Sequence, residues 1–291
     1  MESTIQARCV ADVGAILGEG PVWVARDQAL YWVDIKGHRI FRLDEALQVR
    51  QWETPLRVAS LAPRASGGFI AGTDRGFAEI DLDAMRFEPF DHPELDRVTN
   101  RFNDGKLDRA GRFWAGTMDD QERQASGALY RLDGDRSSSR LDDGYRVTNG
   151  PAFDRSGRRM YHNDSALQVT YVFDLDEDGT PTNRREFARY GDGDGYPDGM
   201  TVDAEDCLWI AFWDGWCVRR FSPVGECLTK IDLPVQKPTS CAFGGRLLDR
   251  LYVTSASIGL DLSDRERQPC AGGLFMLDTM VTGLADTPFP A

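Results

Sequence analysis

The chain has 291 residues and a formal net charge of −13 at pH 7. This acidity argues against nucleic acid as a partner, because phosphate binding needs clustered Lys and Arg, and it also argues against an anionic membrane surface. The hydrophobic share of 41% is enough to form a large core, so the bulk of the chain is not expected to be disordered.

The N-terminal residues lack the unbroken apolar core of a secretory signal, and no run approaches the roughly 18 apolar residues of a membrane span. The six cysteines form no C-x-x-C pair, and a chain of this length does not need disulfide staples. Free thiols are therefore expected rather than bridges. Together these features predict a cytoplasmic protein with no obligate protein partner.

Short apolar and aromatic segments recur along the whole chain at intervals of 39 to 48 residues. They begin at Leu30, Phe69, Phe113, Met160, Leu208 and Leu251. One four-stranded blade of a β-propeller occupies roughly 40–50 residues. The sequence therefore predicts an all-β fold, a six-bladed β-propeller with four-stranded antiparallel blades, as a single domain over residues 1–291. A β-sandwich is the alternative, but it would not require this period.

A propeller brings the same position of every blade to one central channel, so positions 10 or 11 residues before each segment can be compared. These six blade-equivalent positions are Glu19, Ala59, Asn103, Asn149, Asp198 and Ser240. All of them except Ala59 are polar. Each alone is typical of a turn. Converging carboxylate and amide oxygens, without Cys or His, instead indicate a site for a divalent cation such as Ca²⁺, Mg²⁺ or Mn²⁺.

Other patterns predict weaker sites. His162 lies inside a predicted strand, no G-x-S-x-G motif accompanies it, and a packed residue is favoured over a catalytic base. The acidic pair Asp119 and Asp120 is interpreted as a rim loop, with capping of a substrate entrance as the lesser alternative.

Several motifs occur in a fixed order: LGEGP at 17–21, RFNDGK at 101–106, AGTM at 115–118, TNG at 148–150 and PDGM at 197–200. Through them the chain resembles the gluconolactonase, regucalcin (senescence marker protein) and luciferin-regenerating enzyme family along nearly its full length. The resemblance implies a six-bladed propeller, one divalent cation and the hydrolysis of sugar lactones.

The resemblance also implies which residues form the site. The family's metal ligands fall on Glu19, Asn149 and Asp198, and its substrate-binding residues fall on Arg101 and Asn103. The identity of the divalent cation stays open among Ca²⁺, Zn²⁺, Mg²⁺, Mn²⁺ and Fe²⁺.

The chain departs from the family shortly after the AGTM motif. The family's acidic substrate-binding position falls on Gln121, which lies between Asp120 and Glu122. Glu122 is the preferred replacement as a substrate-binding residue.

These residues suggest a mechanism in which Asp198 is the general base, Arg101 stabilises developing charge and Asn103 orients the substrate. Asp104 is expected to hold Arg101 or Lys106. The predicted function is metal-dependent hydrolysis of a small-molecule sugar-acid lactone, an aldonolactone, in carbohydrate catabolism. A calcium-dependent esterase or organophosphate hydrolase is one alternative, and a non-catalytic calcium-binding regulatory propeller is another.

Overall fold

The computed structural model describes residues 6–290, which form six four-stranded antiparallel sheets. The first strand in the chain is β1 (Arg8–Ala11). Blade 1 contains β2 (Gly18–Val24), β3 (Ala29–Asp34), β4 (Arg39–Asp44) and β5 (Val49–Glu53). Blade 2 contains β6 (Val58–Pro63), β7 (Phe69–Thr73), β8 (Gly76–Asp81) and β9 (Arg86–Asp91). Blade 3 contains β10 (Asn100–Leu107), β11 (Phe113–Asp119), β12 (Gly127–Leu132) and β13 (Ser138–Tyr145).

The second half of the chain continues the same arrangement. Blade 4 contains β14 (Thr148–Phe153), β15 (Arg159–Asp164), β16 (Val169–Leu175) and β17 (Pro181–Arg189). Blade 5 contains β18 (Tyr196–Val202), β19 (Leu208–Trp213), β20 (Cys217–Phe221) and β21 (Cys227–Asp232). Blade 6 contains β22 (Pro238–Gly244), β23 (Arg250–Ser255), β24 (Leu274–Asp278) and, as its outermost strand, β1. Single-turn 3₁₀ helices span Ala25–Asp27 and Ser165–Leu167, and α1 spans Leu262–Arg267.

The predicted six-bladed all-β propeller is confirmed. Each recurring apolar segment forms the second strand of a blade, and burial falls from the inside of each blade outwards. For example, β2 is buried at every position, whereas β5 is exposed except at Trp52. The first strands of neighbouring blades contact each other and form the inner ring of the propeller. Sandwiched between blades, the second strands carry near-continuous apolar runs.

Blade 6 closes the ring with a strand from the opposite end of the chain. β1 pairs antiparallel with β24, with Arg8 opposite Met276 and Cys9 opposite Phe275. The segment is four residues long and does not repeat the blade pattern, so the sequence did not predict it. The expectation of free thiols is confirmed, since all six cysteines are unbridged. None of the described helices is long and apolar enough to cross a membrane.

Every innermost strand has an irregularity in its pairing with the second strand of its blade. The interruptions lie at 19–22, 58–60, 102–105, 149–152, 197–200 and 238–241. The six blade-equivalent positions lie at or inside these interruptions. A bulge redirects side chains away from the regular pleat, so these residues can turn into the channel while their strands stay in the ring.

The C-terminal tail lies across one end of the channel, the end at which the innermost strands finish. Gly283 N donates to Leu248 O at 2.7 Å, and further along Phe289 N donates to Pro63 O at 2.9 Å. The Phe289 side chain is fully buried against blades 2 and 3. A cavity of about 40 Å³ beside the tail is lined by Lys106, Leu284 and Asp286.

We expect Phe289→Ala to lower the free energy of unfolding by about 3–5 kcal/mol, because it leaves a cavity between two blades. Met280 is 88% exposed on the same tail, so Met280→Ala is the matched control and should change stability by less than about 0.5 kcal/mol. Urea unfolding of both variants measures the difference. Equal effects would show that the tail does not stabilise the ring through Phe289.

Candidate active site

A cavity of about 380 Å³ opens at the end of the channel where the innermost strands begin. All six side chains that the sequence analysis predicted to bind the metal or the substrate line this cavity. They are Glu19, Arg101, Asn103, Glu122, Asn149 and Asp198. Blades 1, 3, 4 and 5 contribute them, so residues up to 179 positions apart in the sequence come together only because the ring closes.

The three residues predicted as metal ligands are almost completely buried, at 4–5% exposure. Glu19 Oε2 accepts a hydrogen bond from Gly20 N at 3.0 Å. Asn149 is fixed by two contacts, donating from Nδ2 to Ser165 Oγ at 2.8 Å and accepting at Oδ1 from Asn103 Nδ2 at 3.1 Å. Asp198 Oδ1 is buried and accepts no hydrogen bond from residues 6–290.

Glycines beside these ligands allow the backbone to take the shape of the bulges. Gly150 follows Asn149 with φ 86°, a conformation that other residues adopt only with strain. Gly199 follows Asp198, and a Cβ added there would lie 2.0 Å from Ser240 Oγ on the next blade. The N-G and D-G pairs look like ordinary turns in the sequence. In the structure, the backbone conformation at Gly150 and the close approach of Ser240 at Gly199 require glycine.

The buried carboxylates repel one another in the absence of a cation. Burial, together with the charge of Asp104, raises the pKa of Glu19 to about 8. Burial and the charges of Glu19 and Asp104 raise the pKa of Asp198 well above its usual range. Burying like charges is costly unless a counter-charge is present.

This donor set fits a divalent cation. It offers two carboxylates and one amide oxygen, with one carboxylate oxygen left without a partner, and hard divalent cations prefer oxygen ligands. Within residues 6–290 no group of three or more His, Cys, Asp or Glu side chains is placed to hold a metal. A trio of oxygen ligands in this cavity would therefore include the amide of Asn149.

Arg101 is held in place by contacts on one side of its guanidinium. Its Nε donates to Asp120 Oδ1 at 2.5 Å, and its Nη1 donates to Asn103 Oδ1 at 2.7 Å. Its Nη2 forms no hydrogen bond with the described residues and is left to bind a ligand in the cavity. Asn103 donates from Nδ2 to Thr148 O at 2.8 Å, so it connects blades 3 and 4.

Asp120 forms ion pairs with three cationic side chains. Besides Arg101 it binds Arg57 Nη1 at 2.7 Å and Lys36 Nζ at 3.0 Å. Partial burial alone would raise the pKa of Asp120, but hydrogen bonds from Arg57, Arg101 and Lys36 hold it well below its usual range. Asp104 was expected to hold Arg101 or Lys106, but it accepts hydrogen bonds from the backbone N–H groups of Gly105 and Gly150 instead. It forms no ion pair with Arg101; burial raises its pKa, and the nearby charge of Lys106 opposes that rise.

The segment after the AGTM motif differs from the solvated rim loop expected there. Asp119 is buried and accepts hydrogen bonds from the backbone N–H groups of Arg123 and Gln124. Glu122 lines the cavity, with a left-handed backbone at φ 56°, whereas Gln121 is exposed and does not line it. Of the three neighbours considered for substrate contact, Glu122 is the one that lines the cavity.

Several cavity residues were missed by sequence reasoning. They are Arg146, Ser165, Tyr196 and Trp213. These residues lie at the rim or between strands, outside the blade-equivalent positions, so the repeat carries no signal for them. His162 is fully buried, with its ring edge-on to Tyr145 at 4.8 Å, and burial lowers its pKa to about 3. This agrees with the prediction of a packed residue.

Chelated protein should lose stability as pH rises. The pKa of Glu19 is higher in the folded state than its ordinary 4.5, so the fold binds more protons and ionisation destabilises it from about pH 4.5 to about pH 8. A divalent cation should therefore raise Tm more at pH 8 than at pH 5. Thermal melts with EDTA and with Ca²⁺ or Mg²⁺ at both pH values measure this. Equal shifts at both values would contradict it.

We expect Asp120→Asn to lower the free energy of unfolding by about 1–3 kcal/mol, because the buried Arg101 loses its counter-charge. Asp74→Asn is the matched control, since Asp74 contacts Arg57 at 3.3 Å and not Arg101. The pKa of Asp120 is depressed in the fold, so its contribution is present above pH 3.8 and is lost as pH falls below that value. Urea unfolding at pH 7 compares the variants, and a larger loss for Asp74→Asn would contradict this arrangement.

The comparisons with known proteins agree with this fold. A family described as the SMP-30/gluconolactonase/LRE-like region matches residues 17–257. The chain is 37% identical to a 6-deoxy-6-sulfogluconolactonase of Pseudomonas putida, covering 97% of this chain and 98% of that one. It is 36% identical to the regucalcin of Gallus gallus, covering 99% of each chain.

A solved structure of a calcium-binding protein, regucalcin, from Agrobacterium tumefaciens superposes with a TM-score of 0.94. The two share 25% identity, and the match covers 99% of this chain and 98% of that one. These similarities extend over nearly the whole chain and include the motifs that form the inner ring of the propeller. The chain therefore belongs to the SMP-30/gluconolactonase/LRE-like family, as its motifs predicted.

Proposed function

We propose that the protein hydrolyses the lactone of a sugar acid to the free acid, using one divalent cation held by Glu19, Asn149 and Asp198. The observation that carries this proposal is the buried, unpartnered Oδ1 of Asp198 in the same cavity as the anchored guanidinium of Arg101. The names of the sulfogluconolactonase and the calcium-binding regucalcin support lactone hydrolysis and a divalent cation, respectively.

The bound cation would polarise the lactone carbonyl and lower the pKa of a water molecule. Asp198 accepts the proton of that water as its oxygen bonds to the carbonyl carbon. Arg101 donates from Nη2 to the carbonyl oxygen as negative charge develops there, because its other nitrogens are already held by Asp120 and Asn103. The ring C–O bond then breaks, and the proton on Asp198 passes to the departing ring oxygen.

The remaining residues position the substrate. Asn103 is bound to both Arg101 and Asn149, so it sets the distance between the charge-stabilising group and the cation ligands. Glu122 accepts hydrogen bonds from sugar hydroxyls at the cavity mouth. We further infer a cytoplasmic role in carbohydrate catabolism, in which the enzyme opens the lactone that a sugar dehydrogenase produces.

We expect Asp198→Asn to lower kcat/KM on aldonolactones by about 100- to 10,000-fold, because the variant cannot accept the proton. Asp232→Asn changes a carboxylate on the outer edge of the same blade, 77% exposed, and should leave activity unchanged. A pH-indicator assay on glucono-, xylono- and arabinonolactones measures both variants. Near-normal lactonase activity in Asp198→Asn would reject the assignment.

The same assay tests the metal requirement. Chelated wild type should be inactive and should recover when one of Ca²⁺, Zn²⁺, Mg²⁺, Mn²⁺ or Fe²⁺ is restored. Faster turnover of aryl esters or phosphotriesters than of any lactone would favour an esterase or organophosphate hydrolase. Cation binding without turnover of any of these substrates would favour a non-catalytic, calcium-binding regulatory protein.

A further inference from the structure

Five charged side chains line the cavity, and two of them have no partner. Glu19 and Asp198 are the carboxylates of the proposed cation site, and Arg101 is bound to Asp120. The other two, Glu122 and Arg146, form no ion pair or side-chain hydrogen bond with each other or with any other described residue. These two charges are therefore available to the part of a substrate that does not react.

The backbone at Arg146 is fixed. Its N–H donates to Asp164 Oδ2 at 3.0 Å, and Val147 N donates to Oδ1 of the same carboxylate at 3.3 Å. Asp164 is 1% exposed, so this anchor is part of the blade rather than of a mobile loop. Arg146 lies three residues before Asn149, which places its side chain at the cavity mouth on the blade 4 side.

Other cations around the mouth are neutralised by neighbouring aspartates. Arg57 is held at its backbone by Asp74, much as Arg146 is held by Asp164, but its guanidinium binds Asp74 and Asp120. Lys237 binds Asp214 at 2.9 Å, and its ammonium lies over the ring of Trp213 at 4.4 Å. No carboxylate of residues 6–290 forms an ion pair with Arg146, although the chain as a whole carries an excess of 13 negative charges.

The other rim residues indicate how a sugar would lie. Tyr196 and Trp213 are opposite each other on β18 and β19 and give the blade 5 side of the mouth an aromatic surface for the C–H faces of a sugar. Glu122 lies on the blade 3 side and suits hydroxyl donors. A substrate whose carbonyl lay at the buried end of this cavity, beside Glu19 and Asp198, would direct its far end towards the exposed side chains at the rim, which include Arg146.

We infer that Arg146 is a specificity-determining residue that binds an anionic group, such as a sulfonate, phosphate or carboxylate, on the substrate carbon farthest from the lactone carbonyl. The inference rests on the proposed lactonase function and narrows its substrate class. A guanidinium presents paired N–H donors that match two oxygens of such a group. The carboxylate of Glu122 disfavours the same anion on the neighbouring blade 3 side of the mouth, so the two charges orient the substrate.

The test compares glucono-1,5-lactone with its 6-phosphate and its 6-deoxy-6-sulfonate, which differ only at the far carbon. Wild type should show a higher kcat/KM for the anionic lactones than for the neutral one. Arg146→Met should reduce the ratio of anionic to neutral kcat/KM by about tenfold, the size of one charge-assisted contact. Arg146→Lys should keep part of the ratio, because it retains the charge without the paired donors.

The matched control is Arg155→Met, which removes the same charge from an exposed position at the other end of the same blade. It should leave the ratio unchanged, and rising ionic strength should reduce the ratio in wild type more than in Arg146→Met. The phosphate and sulfonate arms show which anion is preferred.

Two outcomes would overturn the inference. One is an equal effect of Arg146→Met on neutral and anionic lactones, and the other is no preference for anionic lactones in wild type. In either case, turnover that still depends on Asp198 would leave the lactonase proposal standing. Absence of turnover on every lactone would overturn both proposals.

Discussion

The site depends on a pairing interruption that all six innermost strands share at the same depth in the channel. A regular strand would alternate its side chains between its two faces and would direct few of them along the channel axis. The bulges at 19–22, 149–152 and 197–200 turn Glu19, Asn149 and Asp198 towards the cavity while the flanking residues stay paired. Strand pairing on either side of each bulge fixes the position of the bulge along the channel. The backbone therefore brings the side chains of Glu19, Asn149 and Asp198 to the same cavity.

This arrangement buries several carboxylates close to one another, and their mutual repulsion affects their pKa values. Burial and the charge of Asp104 raise the pKa of Glu19, and burial with the charges of Glu19 and Asp104 raises the pKa of Asp198. The fold does not neutralise them with a direct ion pair among the described residues, and it leaves Asp198 Oδ1 without a donor. Arg101 is nearby, but its charge is balanced by Asp120. The interior therefore stays short of positive charge at the point where a cation would bind.

The polar residues of the inner ring could be predicted from the sequence, whereas most residues at the rim of the cavity could not. The 39- to 48-residue spacing reports the second strand of each blade, which has to be apolar because both of its faces are covered, and the polar ring follows from that register. Arg146 lies in a connection between strands, and Tyr196 and Trp213 lie at strand ends outside the blade-equivalent positions, so no repeat marks them. The ion cluster at Asp120 was also hidden, because Lys36, Arg57 and Arg101 reach it from three different blades.

The division between ring and rim separates two kinds of constraint on the molecule. Ring residues are tied to the bulges, to one another and to buried backbone groups, as in the contacts from Arg101 through Asn103 to Asn149. Changing Arg101, Asn103 or Asn149 leaves a buried partner unsatisfied, which costs stability. The side chains of Arg146 and Glu122 have no such partners among the described residues, so we expect that they can change without disturbing the fold. If the proposed function holds, residues on the inner strands carry out lactone hydrolysis, and the rim side chains Arg146 and Glu122 select the substrate.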